Sequence, residues 1–217
     1  MAGYRVAIVI PAFNEELTIF KVVSSIKHYG TIIVVNDAST DNTFKVAQNA
    51  GAIVINHMEN KGYDAALNSG FTKADELDCD AIITFDADGQ HDSRNISTFM
   101  KELKKGNDLV LGVRNNTQRI SEWLFKQYTS NRFGWNDPLC GFKGYSMKIY
   151  RDRGWFDSFK SIGTELAMYG LINKYKFIEV DINIFPRIDK PRFSSIILSN
   201  IIIFKSMIRS CITDYKA

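Results

Sequence analysis

The sequence reads Ala81-Ile-Ile-Thr-Phe85 and continues without a break into Asp86-Ala-Asp-Gly-Gln-His91. Five apolar or β-branched residues without polar alternation are typical of a strand buried on both faces, as in a parallel sheet. The abrupt change to carboxylates and an amide marks the carboxyl end of that strand. In open parallel sheets, ligands bind outside the carboxyl ends of the strands. This stretch therefore predicts both a parallel sheet and a polar site at its edge.

Similar apolar runs recur through the first half of the chain and alternate with segments of helical length. The runs are Val6–Ile10, Thr31–Val35, Ala52–Ile55 and Asp108–Gly112, and the helical segments are Glu16–Tyr29, Thr43–Ala50, Tyr63–Ala74 and Ser93–Lys105. Strands that alternate with helices predict an α/β fold with a Rossmann-like, mostly parallel sheet flanked by helices.

The second half of the chain is less regular. Residues 114–136 read as a loop with one short helix. A strand over Gly141–Tyr145, a helix over Gly163–Tyr175 and a strand over Phe177–Ile184 follow. We expect one domain over residues 1–192 and a C-terminal helix over residues 193–217.

The C-terminal segment 195–212 has the period of an amphipathic helix. Its apolar face carries Ile197, Ile201, Phe204, Ile208 and Ile212. Two interpretations of this face stay open. It either packs on the domain and completes the core, or lies on a membrane as a peripheral contact while Lys205 and Arg209 meet anionic headgroups.

Composition is ordinary for a globular protein, with 217 residues, 45% hydrophobic and 24% charged, but the charge is unevenly distributed. Residues 1–113 carry 10 Lys and Arg against 15 Asp and Glu, whereas residues 114–185 carry 11 against 7 and residues 186–217 carry 6 against 2. An acidic half followed by a basic half argues against a nucleic-acid binder with one continuous basic face. The split favours a site that holds both a cation and an anion.

Several features predict a cytoplasmic protein. The three cysteines are widely separated, which is typical of reduced thiols rather than of a disulfide framework. The N-terminal residues do not have the pattern of a signal peptide. No stretch reaches the roughly 18 apolar residues of a spanning helix.

Asp86, Asp88 and Gln90 are the candidate metal ligands. Mg²⁺ and Mn²⁺ prefer oxygen ligands and keep water and substrate phosphate in their shell, so two carboxylates and an amide are sufficient. A cation held there would neutralise charge on a departing nucleoside diphosphate. An Asp-x-Asp pair also occurs in plain surface turns, but its place at a strand end beside Asp37 favours the functional interpretation. The scattered histidines His28, His57 and His91 do not have the spacing of a zinc site.

Asp37 follows the second strand and is a candidate for accepting hydrogen bonds from a nucleoside, although it also fits an Asx turn that leads into a helix capped by Asp41. No Gly-x-Gly-x-x-Gly follows the first strand, which argues against a dinucleotide-dependent oxidoreductase.

Arg114, which follows the fifth strand, is a candidate phosphate ligand, as is Arg119, because guanidinium groups donate in a fork that matches phosphate oxygens. A solvent-exposed loop charge is the alternative for both. Asp137 is the candidate general base if the attacking group is a hydroxyl, which must lose a proton. If the nucleophile is a phosphate, it is already an anion, and Asp137 would position the substrate instead. Glu165 is either a substrate contact or a first-turn carboxylate that the helix dipole favours.

Five motifs in order resemble the signatures of family 2 glycosyltransferases of the GT-A fold, in the dolichol-phosphate mannosyltransferase-like branch. They are Ile10-Pro-Ala-Phe-Asn-Glu15, Val35-Asn-Asp-Ala-Ser-Thr-Asp41, Asn60-Lys-Gly62 with Ala65, Asn68 and Gly70, Asp86-Ala-Asp-Gly-Gln-His91 and Asp137-Pro-Leu-Cys-Gly-Phe-Lys143. The resemblance covers roughly residues 5–190.

The resemblance implies an inverting transferase that uses a nucleotide-sugar and a divalent cation, Mg²⁺ or Mn²⁺. It places the nucleotide against Pro11, Asn14, Glu15, Asp37, Lys61 and Asp86. It also likens the basic segment that contains Arg187 and Arg192 to one that closes over the substrates. The chain departs from the family pattern at Asn36-Asp37, where a paired Asp-Asp is common, and at Lys143, where the branch usually has Arg. Lys143 is a further candidate contact with substrate or phosphate.

We expect a glycosyltransferase that moves a sugar from a UDP- or GDP-sugar to a polyprenyl phosphate or a surface glycan of the cell envelope, at the cytoplasmic face of the membrane. A nucleotidyltransferase acting on sugar phosphates is one alternative, but Pro11–Glu15 is not the Gly-rich basic loop that such enzymes would show. A non-catalytic relative that binds a lipid or a partner is the other, and the intact Asp86-Ala-Asp88 argues against it.

Overall fold

The computed structural model describes residues 3–114, 119–186, 196–213 and 215. Within these residues, seven strands form one sheet and eight helices flank it. The strands are β1 (Val6–Ala12), β2 (Thr31–Asn36), β3 (Ile53–Asn56), β4 (Ala81–Thr84), β5 (Leu109–Arg114), β6 (Lys143–Ser146) and β7 (Phe177–Ile182). The helices are α1 (Ile19–Ile26), α2 (Thr43–Asn49), α3 (Tyr63–Glu76), α4 (Asn95–Lys104), α5 (Ile120–Phe133), α6 (Met147–Arg153), α7 (Glu165–Ile172) and α8 (Ile196–Ile212).

The sheet has the strand order β3-β2-β1-β4-β6-β5-β7. All neighbouring pairs are parallel except those of β6, which runs antiparallel to both β4 and β5. The carboxyl ends of β1, β2, β4, β5 and β7 therefore lie at one edge of the sheet, together with the beginning of β6. We call this edge the carboxyl rim. The predicted mostly parallel α/β fold is confirmed.

Helices cover both faces of the sheet, which explains why the strands lack polar alternation. One buried cluster contains Val9, Phe71 and Tyr145, and the other, on the opposite face, contains Ile8, Ile10 and Phe99. Contact is close where α3 crosses β1, because a Cβ atom on Gly70 would lie 2.2 Å from Val9 Cγ1. The edge strand β3 is the exception to the predicted burial, since Ile53 is exposed.

The segment 114–136 differs from the expectation of a loop with a short helix. Residues 120–133 form the 14-residue helix α5, which ends at Gly134 in the left-handed conformation with φ 76°. The apolar period does not reveal this helix because its outward positions include Ile120 and Trp123, while its buried positions include Ser121 and Glu122. The short helix α6 was also not predicted.

Helix α8 was predicted correctly as a helix, but its apolar stripe points outward. Ile201, Phe204, Ile208 and Ile212 are 43–76% exposed. The side that packs on the domain carries Ile203 and small hydroxyl residues, Ser199, Ser206 and Ser210. Of the two open interpretations, the one in which this apolar stripe completes the core is therefore wrong for these four residues, while the side chain of Ile197 lies outside the described part of the chain.

Small side chains allow α8 to approach the domain closely and to bond to its backbone. Ser206 Oγ donates to the carbonyl of Ser161 at 2.7 Å, and Arg209 Nη1 donates to the carbonyl of Phe159 at 2.9 Å. Among the described helices, α8 included, none has both the length and the apolar character that crossing a bilayer requires.

Candidate active site

Polar side chains predicted from the strand ends meet along the carboxyl rim. Asp37 follows β2, Asp86 follows β4, and Arg114 is the last residue of β5. Lys143 begins β6 and pairs in register with Thr84 at the end of β4. The strand order places β1 between β2 and β4, so Asp37 and Asp86 are two strand spacings apart, roughly 10 Å along the pairing direction.

Hydrogen bonds within the β4–α4 loop orient the predicted metal ligands. Asp86 Oδ2 lies 2.9 Å from His91 Nε2, and Asp88 Oδ1 accepts from the backbone N–H of Gln90 at 3.0 Å. The side-chain amide of Gln90 donates from Nε2 to the carbonyl of Phe185 at 3.2 Å, which turns Oε1 into the atom available for a cation. The loop is thus tied to the end of β7 and presents oxygen atoms at the rim.

Gly141 makes room for the Asp86 carboxylate. A Cβ atom at position 141 would lie 2.5 Å from Asp86 Oδ2 and 2.8 Å from Oδ1. Both carboxylate oxygens therefore rest against the backbone of the segment that leads into β6. The φ of Gly141 is not positive, so the backbone conformation does not require a glycine. The close approach of the Asp86 carboxylate does.

Asp37 is held by donors from the β3–α3 connection. Its Oδ1 accepts from His57 Nδ1 at 2.7 Å and from the backbone N–H of Lys61 at 2.9 Å, and its Oδ2 accepts from the backbone N–H of Gly62 at 2.7 Å. The Lys61 side chain itself is exposed. Three N–H donors stabilise the ionised carboxylate, which is a hydrogen-bond acceptor only.

Asn36 bonds to the neighbouring strand. Its Nδ2 donates to Asn56 Oδ1 at 2.6 Å across β2 and β3. Asp37 is therefore the carboxylate that this strand end presents.

The β1–α1 loop is held mainly by polar contacts with the residues between β2 and the first turn of α2. Asn14 has φ 54°, and its Oδ1 accepts from the backbone N–H of Thr40 at 2.8 Å. Glu15 is buried, its backbone N–H donates to Thr43 Oγ1, and its Oε2 accepts from Thr18 Oγ1. Pro11 lies within β1 and is also buried. These residues shape the rim beside Asp37, and direct nucleotide contacts by them stay a prediction.

Arg114 and Asp137 form a two-pronged ion pair. Arg114 Nε and Nη2 donate to Asp137 Oδ2 and Oδ1 at 2.7 and 2.8 Å, and the backbone N–H of Arg114 adds a third bond at 3.0 Å. Burial lowers the pKa of Arg114, but the hydrogen bonds and charge of Asp137 outweigh this effect and hold the pKa above its usual range. Asp137 is 4% exposed, so this pair is a fixed part of the wall rather than two separate reactive groups.

Lys143 lies behind the rim in a fully buried position. Its Nζ donates to the carbonyl of Gly163 at 2.9 Å and lies 5.5 Å from the centre of the Trp135 ring. Burial lowers the pKa of Lys143 to about 8, against the opposing charges of Cys140 and Asp137. The predicted contact with substrate phosphate therefore has a structural alternative, which is to hold the loop before α7.

The same loop is held from α3 by Asp64, a residue not predicted as part of the site. Asp64 accepts from the backbone N–H groups of Gly163 and Ile162 at 2.6 and 3.2 Å. Burial and the neighbouring Asp157 raise the pKa of Asp64 to about 6. In the sequence, Asp64 is a carboxylate in the first turn of a predicted helix, shortly after Asn60-Lys-Gly62, and this position could have indicated its role.

The remaining candidates are paired with other residues of the protein or lie outside the described residues. Glu165 is fully buried, and its oxygens accept from Arg153, Trp155 and Ser158. These internal partners favour the structural alternative for Glu165, a carboxylate in the first turn of α7, over a substrate contact. Arg119 donates to Glu122 at 2.7 Å in the first turn of α5. Arg187 and Arg192 lie outside the described residues.

His57 is a further rim residue. It directly follows β3, is 8% exposed, and its imidazole is bonded to Asp37. In the sequence, His57 lies at the carboxyl end of the third apolar run, Ala52–Ile55, where a parallel sheet binds ligands, and this position was the signal for it.

Comparison with known proteins identifies a family. A family model described as glycosyl transferase family 2 matches residues 7–180, which is more than half of the chain. A UDP-N-acetylglucosamine–dolichyl-phosphate N-acetylglucosaminyltransferase of Methanococcus voltae is 35% identical over 134 residues, 52% of this chain and 53% of that protein. An uncharacterized protein of Methanocaldococcus jannaschii is 39% identical over 113 residues, 51% of this chain and 46% of that protein. The chain spans about half the length of these two relatives.

Solved structures share the fold at low sequence identity. Glucosyl-3-phosphoglycerate synthase from Mycobacterium tuberculosis, in complex with Mn²⁺, UDP and glucosyl-3-phosphoglycerate, superimposes with a TM-score of 0.76. It is 18% identical, and the match covers 96% of this chain and 79% of that one. The likeness shows that the chain has the GT-A glycosyltransferase fold.

Gly141→Ala tests the contact between the rim backbone and Asp86. The added methyl group has to displace the carboxylate, so we expect metal-dependent nucleotide binding to weaken by about tenfold or more, with a smaller change in melting temperature. Gly144→Ala, three residues further along in β6, is the matched control, because its Cβ would meet Leu103 Cδ1 at 3.1 Å and other apolar atoms instead of a carboxylate. Isothermal titration with Mn²⁺ and nucleoside diphosphates measures both variants. Equal binding losses in the two variants would contradict the placement of Asp86 in the metal and nucleotide site.

Lys143→Met tests the burial of the amine. The folded pKa is about 8 and the unfolded value is 10.5, so above pH 8 the unfolded chain binds a proton that the folded chain has released. The free energy of unfolding of the wild type should therefore rise relative to that of Lys143→Met between pH 8 and pH 10, by on the order of 1 kcal/mol per pH unit. This gain in the free energy of unfolding of the wild type over Lys143→Met is lost as the pH falls back to about 8, the folded pKa.

Chemical denaturation across this pH range gives the two free energies. Lys101→Met, at an exposed position of α4, is the control and should show a constant difference from the wild type. A constant difference for Lys143→Met as well would mean that its amine is solvated.

Proposed function

The chain belongs to glycosyltransferase family 2, and from that membership we propose that it is an inverting, metal-dependent glycosyltransferase that moves a sugar from a UDP- or GDP-sugar to a polyprenyl phosphate or surface glycan. The observation that carries the proposal is the placement of Asp86 and Asp88 directly after β4, at the same rim as Asp37 after β2. One strand end then serves the diphosphate and another the nucleoside, with β1 between them.

Asp86, Asp88 and Gln90 would hold the divalent cation. Oxygen donors suit Mg²⁺ and Mn²⁺, and the hydrogen bonds to His91 and to the Gln90 backbone orient the two carboxylates as an outer shell does in metal sites. Among the described residues, no group of three or more His, Cys, Asp and Glu is placed to hold a metal ion. Because Mg²⁺ usually keeps water and substrate phosphate among its ligands, water and diphosphate oxygens would complete the shell. When bound, the cation supplies charge neutralisation to the diphosphate leaving group.

The Arg114–Asp137 pair favours a phosphate acceptor over a hydroxyl acceptor. A hydroxyl nucleophile needs a base to take its proton. Asp137 accepts three hydrogen bonds from Arg114, two of them from the guanidinium, and is 4% exposed, so its oxygens are engaged by Arg114 and hardly accessible to a hydroxyl group. A polyprenyl phosphate needs no such base. The dolichyl-phosphate acceptor in the name of the Methanococcus voltae relative agrees with this choice.

The transfer step is a displacement at the anomeric carbon of the sugar. An oxygen of the acceptor phosphate forms a bond to this carbon as the bond to the nucleoside diphosphate breaks. The electron pair of the broken bond leaves with the diphosphate, and attack from the opposite side inverts the configuration. The rim residues bind the donor and orient it for this in-line approach. Such positioning lowers the barrier because it holds the reacting atoms in a productive geometry.

Helices α5 and α8 support a peripheral membrane contact in the same proposal. They pack side by side, and each carries an outward apolar stripe, with Ile120, Trp123 and Leu124 on α5 and Ile201, Phe204, Ile208 and Ile212 on α8. We call these seven residues the apolar surface. Exposed Lys205 and Arg209 border it, which is the arrangement that suits anionic headgroups. An anionic bilayer is the occupant we propose, because a lipid-linked acceptor resides there.

A transferase assay tests the activity. The full chain is incubated with Mn²⁺, a UDP- or GDP-sugar and a polyprenyl phosphate, and both the released nucleoside diphosphate and the glycolipid are measured. We expect turnover with one donor, an inverted anomeric configuration in the product by NMR, and a loss of about 100-fold or more in Asp88→Ala. Glu76→Ala, an exposed carboxylate at the end of α3, should keep wild-type turnover. Failure with every donor, or full activity in Asp88→Ala, would contradict the proposal.

Vesicle co-sedimentation tests the membrane contact. We expect the full chain to bind vesicles that contain phosphatidylglycerol and to bind pure phosphatidylcholine less tightly. Phe204→Glu combined with Ile208→Glu should weaken binding by about tenfold or more, because two apolar contacts are lost and two negative charges are added. Met58→Glu, at a 92% exposed residue outside α5 and α8, is the control. Unchanged vesicle binding in the double variant, or self-association through the same surface in sedimentation analysis, would contradict this occupant.

A further inference from the structure

His57 connects the carboxyl rim to helix α3 through both nitrogen atoms of its ring. Nδ1 lies 2.7 Å from Asp37 Oδ1, and Nε2 lies 2.9 Å from Ser69 Oγ. The side chains of His57 and Asp37 are 7% and 6% exposed. Two hydrogen bonds fix the ring in its plane, so its position relative to the Asp37 carboxylate is set from both ends.

The hydrogen on Nδ1 follows from the partners of the ring. Asp37 also accepts from the backbone N–H groups of Lys61 and Gly62, which identifies it as an ionised acceptor, so Nδ1 must carry a hydrogen to bond with it. Ser69 Oγ also lies 3.2 Å from the carbonyl of Ala65. Whether the single hydroxyl hydrogen of Ser69 goes to that carbonyl or to Nε2, Nδ1 remains a donor to Asp37.

The hydrogen-bonding capacity of Asp37 is nearly used up by these donors. A carboxylate offers about four lone-pair positions. Among the described residues, His57 and Lys61 take the two on Oδ1 and Gly62 takes one on Oδ2. One position on Oδ2 remains, and the small exposed fraction of the side chain restricts approach to a single further donor.

We infer that His57 is a positioning residue for nucleotide recognition, which fixes the Asp37 carboxylate so that one lone pair of Oδ2 meets an N–H of the donor nucleobase. The inference rests on the proposed function, in which Asp37 contacts the nucleoside. His57 itself touches Asp37 and Ser69 and acts on the nucleotide only through Asp37.

Because the Asp37 carboxylate is a fixed acceptor, it would bind some nucleobases in preference to others. Uracil and guanine each present a ring N–H that can donate to a carboxylate. Cytosine presents a lone pair at its ring N3, which would face the negative oxygen of Asp37 without a hydrogen between them. Such repulsion is an effective source of discrimination. The pair therefore selects a uridine or guanosine diphosphate over a cytidine diphosphate, and the selection depends on the orientation that His57 gives to Asp37.

Two amide variants of His57 separate its two hydrogen bonds. The Nδ2 group of asparagine occupies nearly the place of histidine Nδ1, whereas the longer glutamine places its amide nearer the position of Nε2. His57→Asn should therefore keep the donor to Asp37, and His57→Gln should lose it and keep a partner for Ser69. Both replacements are polar and smaller than histidine, so they are comparable in the disturbance that they cause to packing.

Isothermal titration of the full chain with Mn²⁺ and either UDP, GDP, CDP or inorganic pyrophosphate provides the test. We expect UDP or GDP to bind the wild type at least about tenfold more tightly than CDP. His57→Asn should keep this preference, and His57→Gln should reduce it by about tenfold, while the affinity for pyrophosphate stays the same in both. A role in stability alone would instead lower the melting temperature and weaken pyrophosphate and nucleotides by the same factor.

Asp37→Asn distinguishes failure of this inference from failure of the proposed function. A carboxamide can donate to cytosine N3, so this variant should shift the preference towards CDP and keep pyrophosphate binding. Equal preference in the wild type and His57→Gln would overturn the role of His57, and an unchanged preference in Asp37→Asn would overturn the base contact on which it depends. If neither nucleotides nor pyrophosphate bind the wild type, the proposed function itself is wrong.

Discussion

Burial of the central strands on both faces is the constraint on which the rest of this molecule depends. β1 and β4 have helices above and below them, so polar side chains within them would lose their hydrogen bonds to water without replacement. The polar side chains that could bind a ligand therefore lie at the edge at which the strands end. Because the strands that carry Asp37, Asp86 and Arg114 are parallel, these ends coincide at the carboxyl rim. The fold thus brings together, at one edge of the sheet, residues that are far apart in the chain.

Each rim carboxylate is fixed by a neighbour that holds it in place. His57 bonds to Asp37, His91 bonds to Asp86, and Arg114 bonds to Asp137. The close approach of Gly141 to Asp86 adds a steric limit to these electrostatic ones. Preorganised groups of this kind do not need to reorient when charge develops on a departing diphosphate, which is how fixed dipoles and charges assist group transfer. Family membership and the geometry of the rim thus point to the same reaction class.

The sequence allowed the sheet and most of the rim to be predicted, because apolar runs and abrupt polar ends are local signals. Asp37, Asp86 and Asp88 were found in this way. Helix α5 was missed since its outward residues, such as Trp123, are apolar and its inward residues, such as Glu122, are polar. Helix α8 shows the same inversion, because its apolar stripe points away from the core. Periodicity reports that two faces differ, and only tertiary contacts such as Ser206 with Ser161 decide which face is inside. The pairing of Arg114 with Asp137 also joins residues 23 positions apart and has no local signal.

The most direct measurement of the central claim is an anomalous difference map at the manganese edge from a crystal of the full chain grown with Mn²⁺ and the nucleoside diphosphate that binds best. The account predicts a single strong peak at the carboxyl rim, about 2.1 Å from carboxylate oxygens of Asp86 or Asp88, with diphosphate oxygens completing the shell. It also predicts the nucleobase beside Asp37. A manganese peak elsewhere on the molecule, or a nucleotide bound away from both strand ends, would contradict it.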